Sequence, residues 1–146
     1  MILDLNGEIF YWKSSPNRNG GHVNFGSVLN KSYSNILFRK KEKSLEEYRE
    51  IFNPKAPSRF KCNYVSPNLK GFCDPHSLWR KGGIIYEVQV YGTGYLTDGQ
   101  IYTNFINCKK NKEYDIALDY WNNFNNYNIR PEIIVDGKVI VRDRIC

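Results

Sequence analysis

A single acidic side chain, Glu132, stands at the head of an apolar, β-branched run near the end of the chain. Residues 131–135 are Pro-Glu-Ile-Ile-Val, and residues 138–141 are Lys-Val-Ile-Val. Such runs are typical of strands, because branched side chains pack well on a pleated surface. A carboxylate that begins a buried strand is either a solvated end residue or a group that stabilises positive charge in a reaction. From this residue alone both interpretations stay open.

Asp136 and Gly137 lie between the two runs and predict the turn of a β-hairpin. A type I′ turn needs a positive φ at both central residues, and the pair Asp-Gly tolerates this conformation. We therefore expect residues 131–135 and 138–141 to form two strands joined by a two-residue turn. Glu132 then stands at the start of the first strand.

The cysteines and histidines offer little support for a second reactive centre. Cys73 and His76 have the two-residue spacing of metal ligands, but zinc needs two more, and only Cys62 is near in sequence. His22 and His76 both fall in loop-like sequence, where a solvated imidazole is the default. We expect no metal, and thiols that stay reduced, as in the cytoplasm.

Several familiar catalytic and targeting motifs are missing from the chain. No glycine-rich phosphate loop follows a predicted strand, and no serine stands in a nucleophile elbow. No apolar run approaches the roughly 18 residues of a membrane span. We expect a cytoplasmic protein without a membrane partner, and the sequence does not indicate its oligomeric state.

The strands that must position Glu132 are predicted from alternating and aromatic-rich runs. They cover residues 8–13, 58–65 and 84–91, with a further strand in 95–106 that is broken near Asp98. The glycines of residues 92–94 predict a turn between the last two strands.

Two or three short helices complete the predicted elements. Ser44 and Glu47 have the spacing of a capping box, which predicts a helix over 44–52 after a solvated basic loop. Apolar residues at helical spacing predict a second helix over 112–124. Residues 25–29 predict a short helical turn. The fold class is therefore α+β, in a single domain that spans residues 1–146.

The composition indicates a globular chain that favours anionic partners. Its net charge is +6, its pI is about 9.1, and 15% of its residues are aromatic, with 11 tyrosines. Basic surfaces attract phosphates, and tyrosine rings stack on bases or on a nicotinamide. An AT-rich genome, which encodes many Tyr, Asn and Lys residues, is the alternative explanation for the aromatic excess.

The order of these segments resembles that of small ADP-ribosyltransferases. Residues 10–14 (Phe-Tyr-Trp-Lys-Ser) occupy the place of the family's Tyr-His-x-Thr first strand, and residues 25–29 resemble the short segment that follows it. Residues 56–60 and 117–121 resemble the Pro-Ser-Arg segment and the Ala-x-x-Tyr-Trp helix of a bacterial branch of this superfamily. Residues 131–135 resemble the Glu-Val-Leu-Val strand of DarT-like DNA ADP-ribosyltransferases, in which the Glu is catalytic.

The resemblance implies a fold and an activity. The fold is ADP-ribosyltransferase-like, with split antiparallel or mixed β-sheets and two or three short helices. The activity is NAD-dependent mono-ADP-ribosylation of a nucleic acid or a protein, with NAD as the substrate and no metal. Glu132 is the implied catalytic residue, because a carboxylate beneath the ribose stabilises an oxocarbenium-like transition state and can activate the acceptor.

The resemblance also implies a set of residues that bind NAD. Arg59 suits the diphosphate, and the rings of Tyr11 and Tyr64 suit the nicotinamide and the adenine. Trp12 stands where the family typically has a histidine that contacts the ribose. The implied NAD-binding residues are Tyr11, Trp12, Ser14, Arg59 and Tyr64.

Two other classes of protein are alternatives to the enzyme. One is a small basic protein whose tyrosine-rich strands stack on single-stranded nucleic acid. The other is a protein-interaction module, such as a small inhibitor, without catalysis. Under either, Arg59 covers apolar surface or pairs with Glu46 or Glu50, and Tyr120 and Trp121 are packing residues.

Overall fold

The computed structural model describes residues 1–15, 19–30, 39–69, 83–122 and 130–145. These residues form an α+β fold with one four-stranded antiparallel sheet and three α-helices, which confirms the predicted fold class. In chain order the elements are β1 (Ile2–Lys13), α1 (Arg39–Phe52), β2 (Asn63–Val65), β3 (Ile85–Asp98), α2 (Gly99–Asn107), α3 (Glu113–Trp121) and β4 (Pro131–Arg144). Short 3₁₀ turns cover Asn19–Gly21, Arg59–Lys61 and Lys110–Lys112.

The sheet curls so that its two edges meet. The strand order is β1-β3-β4-β2, which puts β1 and β2 at opposite edges. Yet the backbones of Tyr11 and Ser66 exchange two hydrogen bonds, of 2.9 and 2.8 Å. A flat sheet could not join its outer strands in this way, so the long central strands β3 and β4 must bend around a common axis.

The inner face of the curled sheet carries an apolar core of its own. Its residues alternate along each strand with those of the other face, as the pleat requires. The buried members of this inner cluster are Leu5, Val65, Ile84, Tyr86, Val88, Val90, Ile133, Val135, Val139 and Val141.

The opposite face, here called the helix face, packs against the helices. Leu45 of α1, Phe105 of α2 and Trp121 of α3 converge on Tyr95 and Ile134 of the two central strands. The indole nitrogen of Trp121 donates to the carbonyl oxygen of Leu45 at 2.9 Å, which ties α3 to α1. Because Ile134 lies on the helix face, Glu132, two residues earlier on the same strand, lies there as well.

The predicted hairpin at Asp136 and Gly137 is wrong. Both residues lie inside the 14-residue strand β4, which pairs with β3 along its whole length. Gly137 lies opposite Gly92, and a Cβ on Gly137 would come within 2.0 Å of the carbonyl oxygen of Tyr91. The glycine therefore serves a close approach of two strands and does not form a turn.

The predicted turn at residues 92–94 is also wrong, whereas the strand predicted after it is correct as far as its break near Asp98. β3 continues through this segment to Asp98, and α2 follows at once. The Asp98 carboxylate accepts a hydrogen bond from the backbone N–H of Gln100 at 2.7 Å, so Asp98 is the N-cap of α2. The apolar residues that suggested a strand, such as Ile101 and Phe105, instead follow the period of a helix.

The basic segment before the first predicted helix is part of that helix. The described part of α1 begins at Arg39, so Ser44 lies within the helix and does not cap it. Lys41 is half-buried, whereas the other basic residues of the segment, Arg39, Lys40 and Lys43, are exposed. The segment therefore lacks an apolar signal at its start. The predicted end at Phe52 is confirmed.

The remaining predicted elements divide between confirmation and correction. The helix predicted over 112–124 is confirmed as α3 over Glu113–Trp121, and residues 123 and 124 lie outside the described residues. The strands over 8–13 and 84–91 are confirmed within β1 and β3. In place of the strand over 58–65, the chain forms a 3₁₀ turn and then β2. Residues 25–29 form a turn and a bridge from Val28 to Ile140, not a helical turn.

Candidate functional site

The candidate site is centred on a buried arginine, Arg59. Its side chain is only 5% exposed, and all three guanidinium nitrogens are bonded to protein. One terminal nitrogen, Nη1, donates to the hydroxyl of Tyr120 at 2.6 Å and to Oε1 of Glu132 at 3.0 Å. The opposite edge of the guanidinium lies against the carboxylate of Glu42, with a shortest distance of 3.2 Å from Nε. We call these residues, with Tyr64 and Tyr102, the Arg59 cluster.

The local backbone fixes the direction of the Arg59 side chain. Ser58 caps the 3₁₀ turn that carries Arg59, because its hydroxyl accepts from the N–H of Phe60 at 3.3 Å. After the turn, the hydroxyl of Tyr64 on β2 donates back to the carbonyl oxygen of Arg59 at 2.7 Å. The turn is thus held at both ends, and its arginine points toward the helices.

Glu132 reaches the cluster from the start of β4. It is 6% exposed, so it is not a solvated strand-end acid. Thr97 is its register partner on β3, and the threonine hydroxyl donates to the carbonyl oxygen of Glu132 at 3.1 Å. Hydrogen bonds therefore hold both the side chain of Glu132, through Arg59, and its backbone, through Thr97.

A second carboxylate, Glu42, enters the cluster from α1. It is buried on the side of the helix that also carries Leu45, and it accepts a hydrogen bond from the hydroxyl of Tyr102 on α2. Neither Glu42 nor Tyr102 was among the site residues predicted from the sequence. An acid three residues before a buried leucine is a usable signal, but it requires a helix that already includes residue 42.

Aromatic rings cover the guanidinium. Its central carbon lies 3.9 Å from the ring centroid of Tyr102, 4.6 Å from that of Tyr64 and 5.7 Å from that of Tyr120. A cation over a ring face is stabilised by the negative potential of the π system, and more strongly where water is excluded. The cluster is a cage of three phenols and two carboxylates around one cation.

The protonation states in the cage follow from burial and charge. Burial by itself lowers the pKa of Arg59, but Tyr120, Tyr64 and the two carboxylates raise it well above its usual value. Burial raises the pKa of each of the three phenols well above the usual value of 10. The guanidinium is charged and the phenols are neutral throughout the physiological range of pH.

A row of polar side chains crosses the helix face beside the cage. Val65 pairs with Ile133, so one further step along the register brings Ser66 opposite Glu132. Ser66 is also bridged to Tyr11 of β1, and its hydroxyl oxygen lies 2.8 Å from the carbonyl oxygen of Asn68 and 3.2 Å from that of Pro131. The row therefore runs from β1 past the end of β2 to β4 and β3, in the spatial order Tyr11, Ser66, Glu132 and Thr97.

Two of the residues implied to bind NAD are engaged elsewhere. Trp12 packs against the inner cluster, and its ring centroid lies 6.0 Å from that of Tyr86. Ser14 is buried, and its hydroxyl is bonded to both the N–H and the carbonyl of Ile84, at 3.0 and 3.3 Å. Of the implied set, the structure brings Arg59, Tyr64 and Glu132 together, with Tyr11 on the row beside them.

The alternative ion pairs of Arg59 are not the ones that form. Glu46 is bonded instead to Arg49, at 2.7 Å, and the partners of Arg59 are Glu42 and Glu132. Tyr120 and Trp121 are both fully buried, as a packing role requires, but the hydroxyl of Tyr120 also serves the cluster.

Among the residues that the structure describes, no three His, Cys, Asp or Glu side chains converge as metal ligands would. Cys73 and His76, the pair with ligand-like spacing, lie outside the described residues, while Cys62 and Cys108 are present as thiols. No helix in the described ranges has the length and apolarity to cross a membrane.

These features define an α+β protein with a buried Arg–Glu–Tyr cluster where the helices meet the sheet. A family model described as "Protein of unknown function (DUF2441)" matches residues 8–146. The chain therefore belongs to the DUF2441 family, whose description assigns no activity. No curated protein matches the chain.

Proposed function

We propose that this protein is an NAD-dependent mono-ADP-ribosyltransferase that uses Glu132, with a nucleic acid or a protein as acceptor. One observation carries the proposal: the carboxylate of Glu132 is withdrawn from bulk water and fixed by Arg59 at 3.0 Å. A carboxylate held in this way acts on a developing positive charge without first reorganising water. We also propose that the curled sheet is of the ADP-ribosyltransferase type.

The reaction uses Glu132 at the ribose. The bond from ribose C1′ to the nicotinamide nitrogen breaks, and nicotinamide leaves with the bonding electrons. The carboxylate stabilises the cationic ribose, and an acceptor oxygen or nitrogen then bonds to C1′. The acceptor's proton passes to the carboxylate or to water.

Arg59 is better suited to hold Glu132 than to bind the diphosphate of NAD. A diphosphate clamp needs free guanidinium N–H groups, but each nitrogen of Arg59 has a bond to Glu42, Tyr120 or Glu132. We therefore assign Arg59 as a positioning residue. Tyr11 is the residue of the implied set best located to contact NAD, because it lies on the row next to Ser66.

The proposal is tested by nicotinamide release from NAD, with purified wild-type protein and Glu132→Gln. The glutamine keeps the shape of the side chain and an oxygen for Arg59, but removes the charge. We expect the rate to fall at least about a hundredfold, with an unchanged circular dichroism spectrum. Glu47→Gln is the matched control, because Glu47 is exposed on α1. Equal rates for Glu132→Gln and wild type would refute the role of Glu132.

The role of Arg59 is tested by the two kinetic constants of Arg59→Lys. A positioning residue acts through Glu132, so kcat should fall while KM for NAD changes little. A diphosphate ligand would instead raise KM. Glu132→Gln and Arg59→Lys must each be shown to fold, since both residues are buried.

A basic binding protein without catalysis is the second candidate. The observation that favours it is that each guanidinium nitrogen of Arg59 is bonded within the protein, since such an ion-pair cage also serves structure alone. Such a protein binds oligonucleotides with a steep salt dependence and releases no nicotinamide. The nicotinamide assay therefore separates the two candidates.

A further inference from the structure

Six basic residues lie together where α1 begins and where α2 joins α3. Three are in the first turns of α1, and three are in the short segment between α2 and α3. All six are exposed. We call them the basic patch, which consists of Arg39, Lys40, Lys43, Lys109, Lys110 and Lys112.

The side chain of Lys41 joins the two segments that carry the basic patch. Lys41 points inward from α1, and its ammonium group donates to the carbonyl oxygen of Cys108 at 2.8 Å and to the Glu113 carboxylate at 2.9 Å. Cys108 and Glu113 flank the segment that carries the second half of the patch. The first turns of α1 and the segment between α2 and α3, which carry the exposed cations, therefore adjoin each other.

The charge of the basic patch is not cancelled locally. Glu113 is neutralised by Lys41, and Glu42 is buried in the Arg59 cluster. Among the described residues on these segments, the exposed acids within a helical turn of the patch are Glu47 and Asp115. Six positive charges thus face two negative ones. Such a surface attracts a polyanion, with an attraction that salt screens.

An exposed aromatic ring adjoins the basic patch. Tyr114 is 55% exposed in the first turn of α3, two residues after Lys112. The rings of Tyr48 and Phe52 on α1 pack nearly perpendicular to it, with centroid distances of 6.2 and 5.2 Å. A ring that is fixed from below and open to solvent is a stacking platform, and base stacking on such rings contributes to single-strand binding.

We propose that the basic patch and Tyr114 bind single-stranded nucleic acid, with phosphates on the lysines and a base on the tyrosine ring. The combination of fixed ring and dense positive charge favours this ligand over an acidic protein or an anionic membrane. The proposal does not depend on the activity proposed for Glu132, because the Arg59 cluster contributes no residue to this surface.

The test is fluorescence anisotropy of a labelled single-stranded oligonucleotide with the whole protein. Lys110→Glu with Lys112→Glu should weaken binding at least about tenfold. The matched control is Lys138→Glu with Arg144→Glu, which changes the net charge equally at exposed positions on β4. Tyr114→Ala should weaken binding about tenfold, and a duplex of the same length should bind less tightly.

The expected salt dependence of log Kd corresponds to several released counterions, at about 0.7 per phosphate contact on a single strand. Equal weakening in the control pair would show that net charge alone acts, and would overturn the proposal. Insensitivity to Tyr114→Ala, or tighter binding to vesicles of phosphatidylserine and phosphatidylcholine than to the oligonucleotide, would overturn it as well. Because no NAD is present, these outcomes are independent of the nicotinamide assay.

Discussion

At the scale of single residues, Arg59 links the structure to the proposed chemistry. It joins a 3₁₀ turn, α1, α3 and β4 through one guanidinium, and it leaves both nearby carboxylates with a charged partner. Removing a buried partner leaves the other charge without compensation, which costs more than the pair contributes while intact. The same residue therefore matters for folding and for the orientation of Glu132.

Arg59→Ala should lower the free energy of unfolding by about 3–5 kcal/mol, because Glu42 and Glu132 then stay buried without a cation. Urea denaturation followed by circular dichroism measures this change. Arg142→Ala is the control, since Arg142 is exposed and contacts Gln89 at 2.9 Å on the surface, and it should change the free energy by no more than about 0.5 kcal/mol. A loss below about 1 kcal/mol for Arg59→Ala would contradict the described cage.

A smaller loss is expected from Tyr120→Phe. The hydroxyl accepts a charge-assisted hydrogen bond from Arg59 at 2.6 Å, and such bonds contribute about 1.5–3 kcal/mol. The ring, which is fully buried between α3 and the sheet, remains in place. Thermal unfolding of this variant beside the exposed-site control Tyr114→Phe measures the difference. Equal melting temperatures would show that the hydroxyl of Tyr120 does not stabilise the fold.

At the scale of elements, the continuous pairing of β3 and β4 positions the site. Thr97 and Glu132 are register partners near one end of this ladder, and the close approach at Gly92 and Gly137 lies five residues further along. The glycines let two backbones approach where any side chain would collide. The ladder therefore continues past a point that resembles a turn in the sequence.

Gly137→Ala should destabilise the protein by about 2 kcal/mol or more, because the new Cβ would lie 2.0 Å from the carbonyl oxygen of Tyr91. In a type I′ hairpin turn at the surface, the cost would come from φ alone and the strands would keep their packing. Chemical denaturation is the measurement, with Lys138→Ala as the exposed neighbour in the same strand. An effect equal to that of the control would contradict the continuous ladder.

The sequence was sufficient for the elements with a strong period, whereas Arg59 and Glu132 were placed in one site only by the resemblance to ADP-ribosyltransferases. The failures of the sequence-based predictions have two physical causes. Asp136 and Gly137 match a local turn signal, but pairing with the full length of β3 overrides local preference. Glu42 was missed because its helix begins with exposed basic residues, so the buried side of α1 shows no apolar signal before Leu45.

At the scale of the whole molecule, buried phenols connect stability to alkaline pH. Burial raises the pKa of Tyr64, Tyr102 and Tyr120 above 10, so the unfolded chain loses these protons before the folded protein does. The folded state then binds more protons than the unfolded state at high pH. Stability from this source is complete below about pH 10 and is lost as the pH rises further.

We therefore expect the free energy of unfolding to fall steeply above about pH 10. In the folded protein, the three buried tyrosines should ionise at a higher pH than the exposed tyrosines. Urea denaturation across pH 8–12, beside the ultraviolet absorbance of tyrosinate, measures both. Tyr120→Phe should make the decline less steep, because one raised pKa is removed. Smooth ionisation of all tyrosines in the folded protein at the usual pH would contradict the burial of the cage.

The measurement that tests the central claim most directly is the transfer of label from NAD, labelled in its adenosine part, to macromolecules of a cell lysate. Wild-type protein should transfer label, and digestion with nuclease or protease then identifies the class of acceptor. Glu132→Gln should transfer almost none, while Glu47→Gln should match wild type. If wild type leaves both nucleic acid and protein unlabelled, or if Glu132→Gln labels as well as wild type, Glu132 is not the catalytic group of an ADP-ribosyltransferase.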